Sequence, residues 1–181
     1  MINTSTEIDD QPCAFRYPRG NGLGLKLPSI EEKLIIGKGR IIKEGSKVAI
    51  VSFGARLQEC IVARKLLEKK GISTTIIDAR FAKPLDEDLI WQVCTSHEAI
   101  ITIEEGSVGG FGSHVMQFLT NRGLIDKGIK FRSMILPDYF IDQDTPENMY
   151  KIAGLDSKSI EEKAIETLNS NIILPKTKYI N

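Results

Sequence analysis

The sequence predicts an α/β fold in which a mostly parallel sheet carries helices on both faces and an antiparallel strand at one edge. Short apolar runs recur along the chain, separated by segments with helical length and pattern. The runs are nearly continuous in apolar character, which is typical of strands buried on both faces. Residues 35–42 instead mix isoleucines with glycine and lysine, as edge strands do. Strands that alternate with helices favour a parallel sheet with right-handed crossovers.

The first buried strand and its helix begin at Val48. Residues 48–53 form a nearly continuous apolar run, and Gly54 separates this predicted strand from a helix that extends to about Lys70. Gly71 is predicted to end the helix, because glycine adopts the left-handed backbone that often follows a helix. The next strand is predicted at 74–78. The buried stripe of the helix has helical spacing and consists of Leu57, Cys60, Ile61, Ala63 and Leu67.

The remaining elements continue the alternation. Strands are predicted at 99–103 and 131–136, with a helix between them. Pro84 is predicted to open an earlier helix, with three carboxylates in the first turn where they favour the helix dipole. The last two helices are predicted from an N-cap and N1 pair and from a capping box, at Thr145–Pro146 and Ser159–Glu162.

Composition divides the chain into four parts. The main α/β domain is predicted at 45–170, preceded by a linker and edge strand at 21–44. Residues 1–20 start with polar and acidic residues and have no apolar signal core. This featureless start indicates that the chain begins inside a larger protein. Residues 171–181 are predicted to be a frayed, flexible tail.

Charge and cysteine content narrow the function classes. Lys plus Arg number 24 and Asp plus Glu number 24, so there is no net basic charge of the kind that favours nucleic-acid binding. The three cysteines, Cys13, Cys60 and Cys94, form no Cys-x-x-Cys pair, which indicates reduced thiols in a cytoplasmic protein rather than a disulfide framework or a zinc site. No apolar run approaches the roughly 18 residues of a membrane span.

The segment Arg16-Tyr17-Pro18-Arg19-Gly20-Asn21 is the leading candidate binding site. Pro18 fixes φ and favours extended backbone at Tyr17, while Gly20 permits a sharp turn. An arginine on such a stiff corner suits bidentate capture of a phosphate or carboxylate. The alternative is a surface salt bridge at a domain boundary.

The glycine-rich bend at 106–112 is a second candidate. It lies between a strand and a helix, where phosphates often bind, but it does not match Gly-x-Gly-x-x-Gly. Tight packing of strand against helix explains the glycines equally well. Glu104 and Glu105 precede the bend and could form an acid–base pair, or they could be solvated or interface carboxylates.

The two histidines and one charged loop complete the candidates. Neither His97 nor His114 has a Ser or Cys partner in a nucleophile motif, so we interpret both as surface or packing residues. The charged segment at 78–86 follows a predicted strand and could contact a ligand. An ion-paired strand-to-helix loop is the other interpretation.

Taken together, these segments resemble the 1-deoxy-D-xylulose-5-phosphate synthase family. The resemblance covers about Gln11 to Leu168, and its motifs occur in the order found in the family. They are Arg16-Tyr17-Pro18-Arg19-Gly20-Asn21, Ile36-Gly37-Lys38-Gly39, Asp78-Ala79-Arg80-Phe81, Lys83-Pro84-Leu85-Asp86, Ser96-His97-Glu98-Ala99, Glu104-Glu105 with Gly109-Gly110, and Leu136-Pro137-Asp138-Tyr139-Phe140-Ile141.

The resemblance implies the C-terminal domain of transketolase-like enzymes, with residues 1–20 as the end of the pyrimidine-binding domain. Such synthases condense pyruvate with glyceraldehyde 3-phosphate, release carbon dioxide, and use thiamine diphosphate and magnesium. Their product feeds isoprenoid, thiamine and pyridoxal synthesis, and members form dimers in part through this domain. In the family, the second arginine of the Arg-Tyr-Pro-Arg-Gly motif binds the aldehyde's phosphate. That role carries over to Arg19, and Arg16 and Tyr17 are expected to shape the corner.

The chain also departs from the family. It has no Gly-Asp-Gly segment to hold magnesium and diphosphate, and it does not include the region of the cofactor-activating glutamate. We therefore expect no catalytic, cofactor or metal residues here, no bound cofactor, and no turnover without the rest of a synthase. Two alternatives stay open: the C-terminal domain of a 2-oxo acid dehydrogenase β subunit, and a non-catalytic dimerisation or interaction module.

Overall fold

A computed structural model describes residues 1–17, 22, 24 and 33–170, and the structural statements below concern those residues. One five-stranded sheet forms the centre of the fold, with the strand order β1-β3-β2-β4-β5. Strands β2 to β5 are mutually parallel, and β1 pairs antiparallel with β3 at one edge. The predicted fold class is confirmed. The strands are β1 (Arg40–Lys43), β2 (Val48–Phe53), β3 (Thr74–Asp78), β4 (Ala99–Glu104) and β5 (Lys130–Met134).

Helices cover both faces of the sheet. Alternate residues of a strand point to opposite faces, and in β2 Ile50 packs with one layer while Val51 packs with the other. Helices α2 and α6 lie on the Ile50 face, and α3 and α4 lie on the Val51 face. The helices are α1 (Ile2–Ser5), α2 (Leu57–Lys69), α3 (Glu87–Ser96), α4 (Phe111–Asn121), α5 (Pro146–Ile152) and α6 (Ser157–Asn169), with a 3₁₀ turn at Ile125–Lys127.

Two predicted helix starts were wrong because an aspartate caps each helix at a different residue. Helix α3 begins at Glu87 rather than at Pro84, since the Asp86 carboxylate accepts a hydrogen bond from the Leu89 amide at 3.2 Å. Helix α6 begins before Ser159, since Asp156 accepts from the Ser159 amide at 3.0 Å. The predicted cap at Thr145 is confirmed.

The strand boundaries and the amino end also differ from the predictions. The edge strand begins at Arg40 rather than at residue 35, because Gly37 takes φ 76° in a turn that interrupts extended backbone. Strand β5 is Lys130–Met134 rather than 131–136. The short helix α1 was not predicted, because the polar amino end carries no helical apolar pattern.

The edge strand is held by a buried aspartate at the start of α3. One Asp86 oxygen accepts from the Gly39 amide at 2.9 Å, and the other lies 3.1 Å from the Lys38 ammonium. Arg40 forms an ion pair with Asp78 at 3.0 Å. These contacts fix the segment that enters β1 relative to the sheet and α3.

The core contains one cysteine with no access to solvent. Cys60 lies on the inner side of α2 against β2, and burial raises the pKa of its thiol to about 12. Cys13 is exposed. No helix of the described residues is long and apolar enough to cross a membrane.

His97 lies at the amino edge of the sheet, just after α3. Its Nε2 is 2.8 Å from the Thr75 hydroxyl, and its Nδ1 is 3.1 Å from the Val93 carbonyl oxygen. Burial lowers the pKa of the His97 imidazole below its ordinary value, since the charged form is penalised there. This placement agrees with the interpretation of His97 as a packing residue.

Acidification should destabilise the fold through His97. Because the folded state lowers the pKa of His97, the unfolded state binds more protons below about pH 6.5, so the free energy of unfolding should fall as pH drops from there. Urea unfolding measured between neutral and mildly acidic pH checks this. His97→Gln should reduce the pH dependence in that window. His114→Gln, at an exposed histidine, should keep it, and equal curves for the wild type and His97→Gln would contradict the assignment.

Candidate functional site

Polar side chains gather where the parallel strands end. Asp78 is the last residue of β3, Glu104 is the last of β4, and Arg56 follows β2. Because these strands are parallel, their carboxyl ends meet at one edge of the sheet. Ligands of open α/β sheets bind at such edges, so this edge is the candidate site.

Glu104 is buried inside the glycine-rich bend. Its Oε1 accepts a hydrogen bond from the Gly112 amide at 2.9 Å, in the first turn of α4. A Cβ atom at Gly106 or Gly110 would overlap the Glu104 carboxylate. A Cβ at Gly112 would overlap the Ser133 hydroxyl. The bend therefore needs glycines in order to close around a carboxylate and to bring α4 against the sheet.

This geometry favours the packing interpretation of the bend over phosphate binding. The amino end of α4 lies beside the internal carboxylate of Glu104, which accepts from a helix amide that a phosphate would otherwise use. An incoming phosphate would also meet the negative charge of that carboxylate. The described residues of the bend thus do not fit a diphosphate or a magnesium diphosphate complex.

Glu105 faces a different partner. Its carboxylate accepts from Arg56 Nε at 2.8 Å, and the Arg56 guanidinium lies 3.5 Å from the centre of the Tyr150 ring. Burial, followed by the Glu105 carboxylate, raises the pKa of the Tyr150 phenol above its ordinary value. The three side chains join the start of α2, the end of β4 and helix α5.

The two glutamates therefore have separate surroundings. Glu104 is engaged by the amide of Gly112, and Glu105 is engaged by a cation. Glu105 is therefore ion-paired within the chain, with Arg56. Sequence analysis missed Arg56 and Tyr150 as members of this cluster. A signal exists for Arg56, which follows a strand-ending glycine, but nothing local marks Tyr150.

The charged loop after β3 is ion-paired. Asp78 contacts Arg40 at 3.0 Å and Arg80 at 3.8 Å, and Arg80 has a left-handed φ of 58°. Farther along, Asp86 both caps α3 and holds Gly39. The structure thus supports the ion-paired interpretation of residues 78–86.

The predicted phosphate-binding corner is described only in part. Arg16 and Tyr17 are exposed, and the Tyr17 ring centre lies 6.4 Å from that of Phe15. Arg19 lies outside the described residues, so its role stays a prediction. The chain on either side of the corner is tied together, since the Leu34 amide donates to the Thr4 hydroxyl at 3.0 Å and Lys33 pairs with Glu7.

The histidines do not join the carboxyl edge cluster. His97 lies at the opposite edge of the sheet, as described above. His114 is exposed on α4 and lines an open groove of about 600 Å³ with Lys83, Phe118 and Arg122. Among the residues that the structure describes, no group of three or more His, Cys, Asp or Glu side chains could hold a metal ion.

Comparisons with known proteins agree with this architecture. The family model described as "Transketolase, C-terminal domain" matches residues 37–160. A solved structure named "Split gene transketolase, inactive beta4 tetramer" is similar at 27% sequence identity with a TM-score of 0.70. The match covers 80% of this chain and 46% of that one, so the chain spans about half the length of this relative.

Gly110→Ala should destabilise the carboxyl edge. The new Cβ would lie 2.7 Å from Glu104 Oε1, so the buried carboxylate or the bend must shift, at a cost of about 1–3 kcal/mol. Chemical denaturation gives the free energy of unfolding. Gly22→Ala is the matched control, because no atom of the described residues lies within 4 Å of the added Cβ, and its effect should stay within about 0.5 kcal/mol. Equal stability of the two variants would contradict the packing of Glu104.

Proposed function

The chain belongs to the transketolase C-terminal domain family, and from this premise we propose that it is the carboxy-terminal portion of a 1-deoxy-D-xylulose-5-phosphate synthase. The whole enzyme would condense pyruvate with glyceraldehyde 3-phosphate and release carbon dioxide. This chain would supply the substrate-phosphate contact and part of the assembly surface, in a dimeric enzyme.

One observation carries the proposal: motifs that resemble those of the synthases contact one another in the structure. Asp86 of the Lys-Pro-Leu-Asp motif accepts from the amide of Gly39 in the Gly-Lys-Gly motif. Glu104 is enclosed by Gly110. The Leu136 amide, at the start of the Leu-Pro-Asp-Tyr-Phe motif, donates to the Gly106 carbonyl oxygen at 2.9 Å. The resemblance thus rests on segments that together build one edge of the domain.

Thiamine diphosphate and magnesium would be held by polypeptide outside this chain. The sequence has no Gly-Asp-Gly segment, and the bend at 106–112 surrounds an internal carboxylate rather than a space for phosphate. When bound, the cofactor supplies the carbon nucleophile of the reaction. The task of this chain is to bind and orient the phosphorylated aldehyde.

Arg19 is proposed to bind the phosphate of glyceraldehyde 3-phosphate, with Arg16 and Tyr17 shaping the corner. A guanidinium forms two parallel hydrogen bonds with phosphate oxygens, which fixes orientation as well as adding affinity. The contacts of Leu34 with Thr4 and of Lys33 with Glu7 hold the two sides of the corner together. The Asp86–Gly39 contact then connects that region to the α/β domain.

A non-catalytic assembly module is the second candidate function. It is favoured by the name of the similar solved structure, which describes an inactive tetramer of a split-gene transketolase. The two functions differ in what the domain does with a cofactor-binding partner. A synthase portion should restore turnover to such a partner, whereas a module should at most associate with it.

Complementation tests the proposal. We expect no pyruvate- and aldehyde-dependent product from the purified 181-residue chain, and turnover when it is mixed with the separately expressed cofactor-binding domains of a synthase. Losing a charge-assisted contact is worth roughly 1.5–3 kcal/mol, so Arg19→Ala should raise the KM for glyceraldehyde 3-phosphate about tenfold or more. The KM for pyruvate should not change.

Arg122→Ala is the matched control, because this exposed arginine caps the end of α4 and, among the described residues, forms its ion pair with Glu87. Its KM for the aldehyde should equal that of the wild type. Turnover by the chain alone would overturn the proposal that other polypeptide holds the cofactor and the metal. An unchanged aldehyde KM in Arg19→Ala would overturn the phosphate contact.

A further inference from the structure

Three large apolar side chains lie exposed together beyond the carboxyl end of β5. Phe140 is 93% exposed, Tyr139 is 59% exposed, and Ile152 at the end of α5 is 53% exposed. The Tyr139 hydroxyl donates to the Ile152 carbonyl oxygen at 3.1 Å, which brings the loop against the helix end. We call Tyr139, Phe140 and Ile152 the Phe140 patch. Aromatic residues presented in this way are typical of protein interfaces.

The loop that presents Phe140 is held at both ends. At its start, the Leu136 amide donates to the Gly106 carbonyl oxygen at 2.9 Å. At its end, Asp144 accepts from the Asn148 side chain at 3.0 Å, and Thr145 caps α5. Helix α5 is in turn fixed by Tyr150, whose ring lies under Arg56. Phe140 is thus displayed by a defined loop, which lowers the entropic cost of binding a partner.

The surroundings of the patch are acidic. Residues 137–152 contain one lysine, Lys151, and four exposed carboxylates, at Asp138, Asp142, Asp144 and Glu147. A partner surface that fits must offer an apolar pocket with lysines or arginines around it, because complementary charge around an apolar centre favours association and like charge opposes it.

A second copy of the same patch does not meet that requirement. In a two-fold symmetric contact the patch would face itself, so the acidic residues of one copy would lie against those of the other. Like charges brought together across an interface disfavour the contact. The occupant is therefore a different surface.

We propose that the Phe140 patch docks onto the cofactor-binding part of the synthase, in an apolar pocket bordered by basic residues. The inference rests on the proposed function and adds the surface through which the two parts join. Glu105 and Arg56 support the patch, because the Arg56 guanidinium pairs with Glu105 and lies over the ring of Tyr150 on α5.

Binding of the 181-residue chain to the separately expressed cofactor-binding domains, measured by calorimetry, tests the inference. Phe140→Ala should weaken binding about tenfold or more, since it removes the most exposed side chain of the patch. Trp91→Ala is the matched control, because Trp91 is an aromatic residue, 52% exposed, on α3. Its affinity should equal that of the wild type. Circular dichroism should show both variants folded.

A charge variant and the complementation assay separate the outcomes. Asp138→Lys with Asp142→Lys should also weaken binding, and high salt should weaken wild-type binding. If the wild-type chain restores turnover while Phe140→Ala binds as tightly, the docking surface is wrong and the proposed function stands. If the wild-type chain neither binds nor restores turnover, both fail. Self-association abolished by Phe140→Ala would assign the patch to a second copy instead and overturn the inference.

Discussion

The carboxyl edge of the domain depends on one buried hydrogen bond, from the Gly112 amide to the Glu104 carboxylate. A carboxylate removed from water must be compensated, and here a helix amide compensates it while glycines let the backbone close around it. That closure sets the path of the chain between β4 and α4. It thereby places Glu105 against Arg56, Arg56 against Tyr150, and the Gly106 carbonyl oxygen against the loop after β5.

A second constraint acts beside the edge strand β1. Asp86 holds Gly39 and Lys38 beside the start of α3, where the chain enters the antiparallel strand β1. The same carboxylate caps α3, so one side chain satisfies a helix amide and a strand-entry amide at once. This arrangement connects the amino-terminal segment, which carries the proposed substrate contact, to the rigid core. Asp86 thus helps to position the segment with the proposed substrate contact, and Glu104 helps to position the loop after β5.

The parts of the fold that could be predicted are those with local causes. The strand at Val48–Phe53 follows from an apolar run buried on both faces, and Thr145 follows from ordinary capping chemistry. The start of α3 could not be placed, because Pro84 and Asp86 both carry start signals and only tertiary contacts with Gly39 favour the second.

In the candidate site, Glu104 was identified by its position after a predicted strand, but its role depends on a bend that folds back on it. Tyr150 was missed because its partner, Arg56, is distant in sequence. The phosphate role of Arg19 was assigned only by resemblance, since a stiff arginine corner is also consistent with a surface salt bridge.

The buried thiol of Cys60 can report on local opening of the domain. An alkylating reagent consumes thiolates, and a thiol with a pKa of about 12 and no exposed surface offers almost none at neutral pH. Cys13 is open to the same reagent from the start. Cys94 is also buried but 8% exposed, so Cys60 should be the last of the three thiols to react. The delay before the third adduct, read by mass spectrometry, therefore times how often α2 lifts from the sheet.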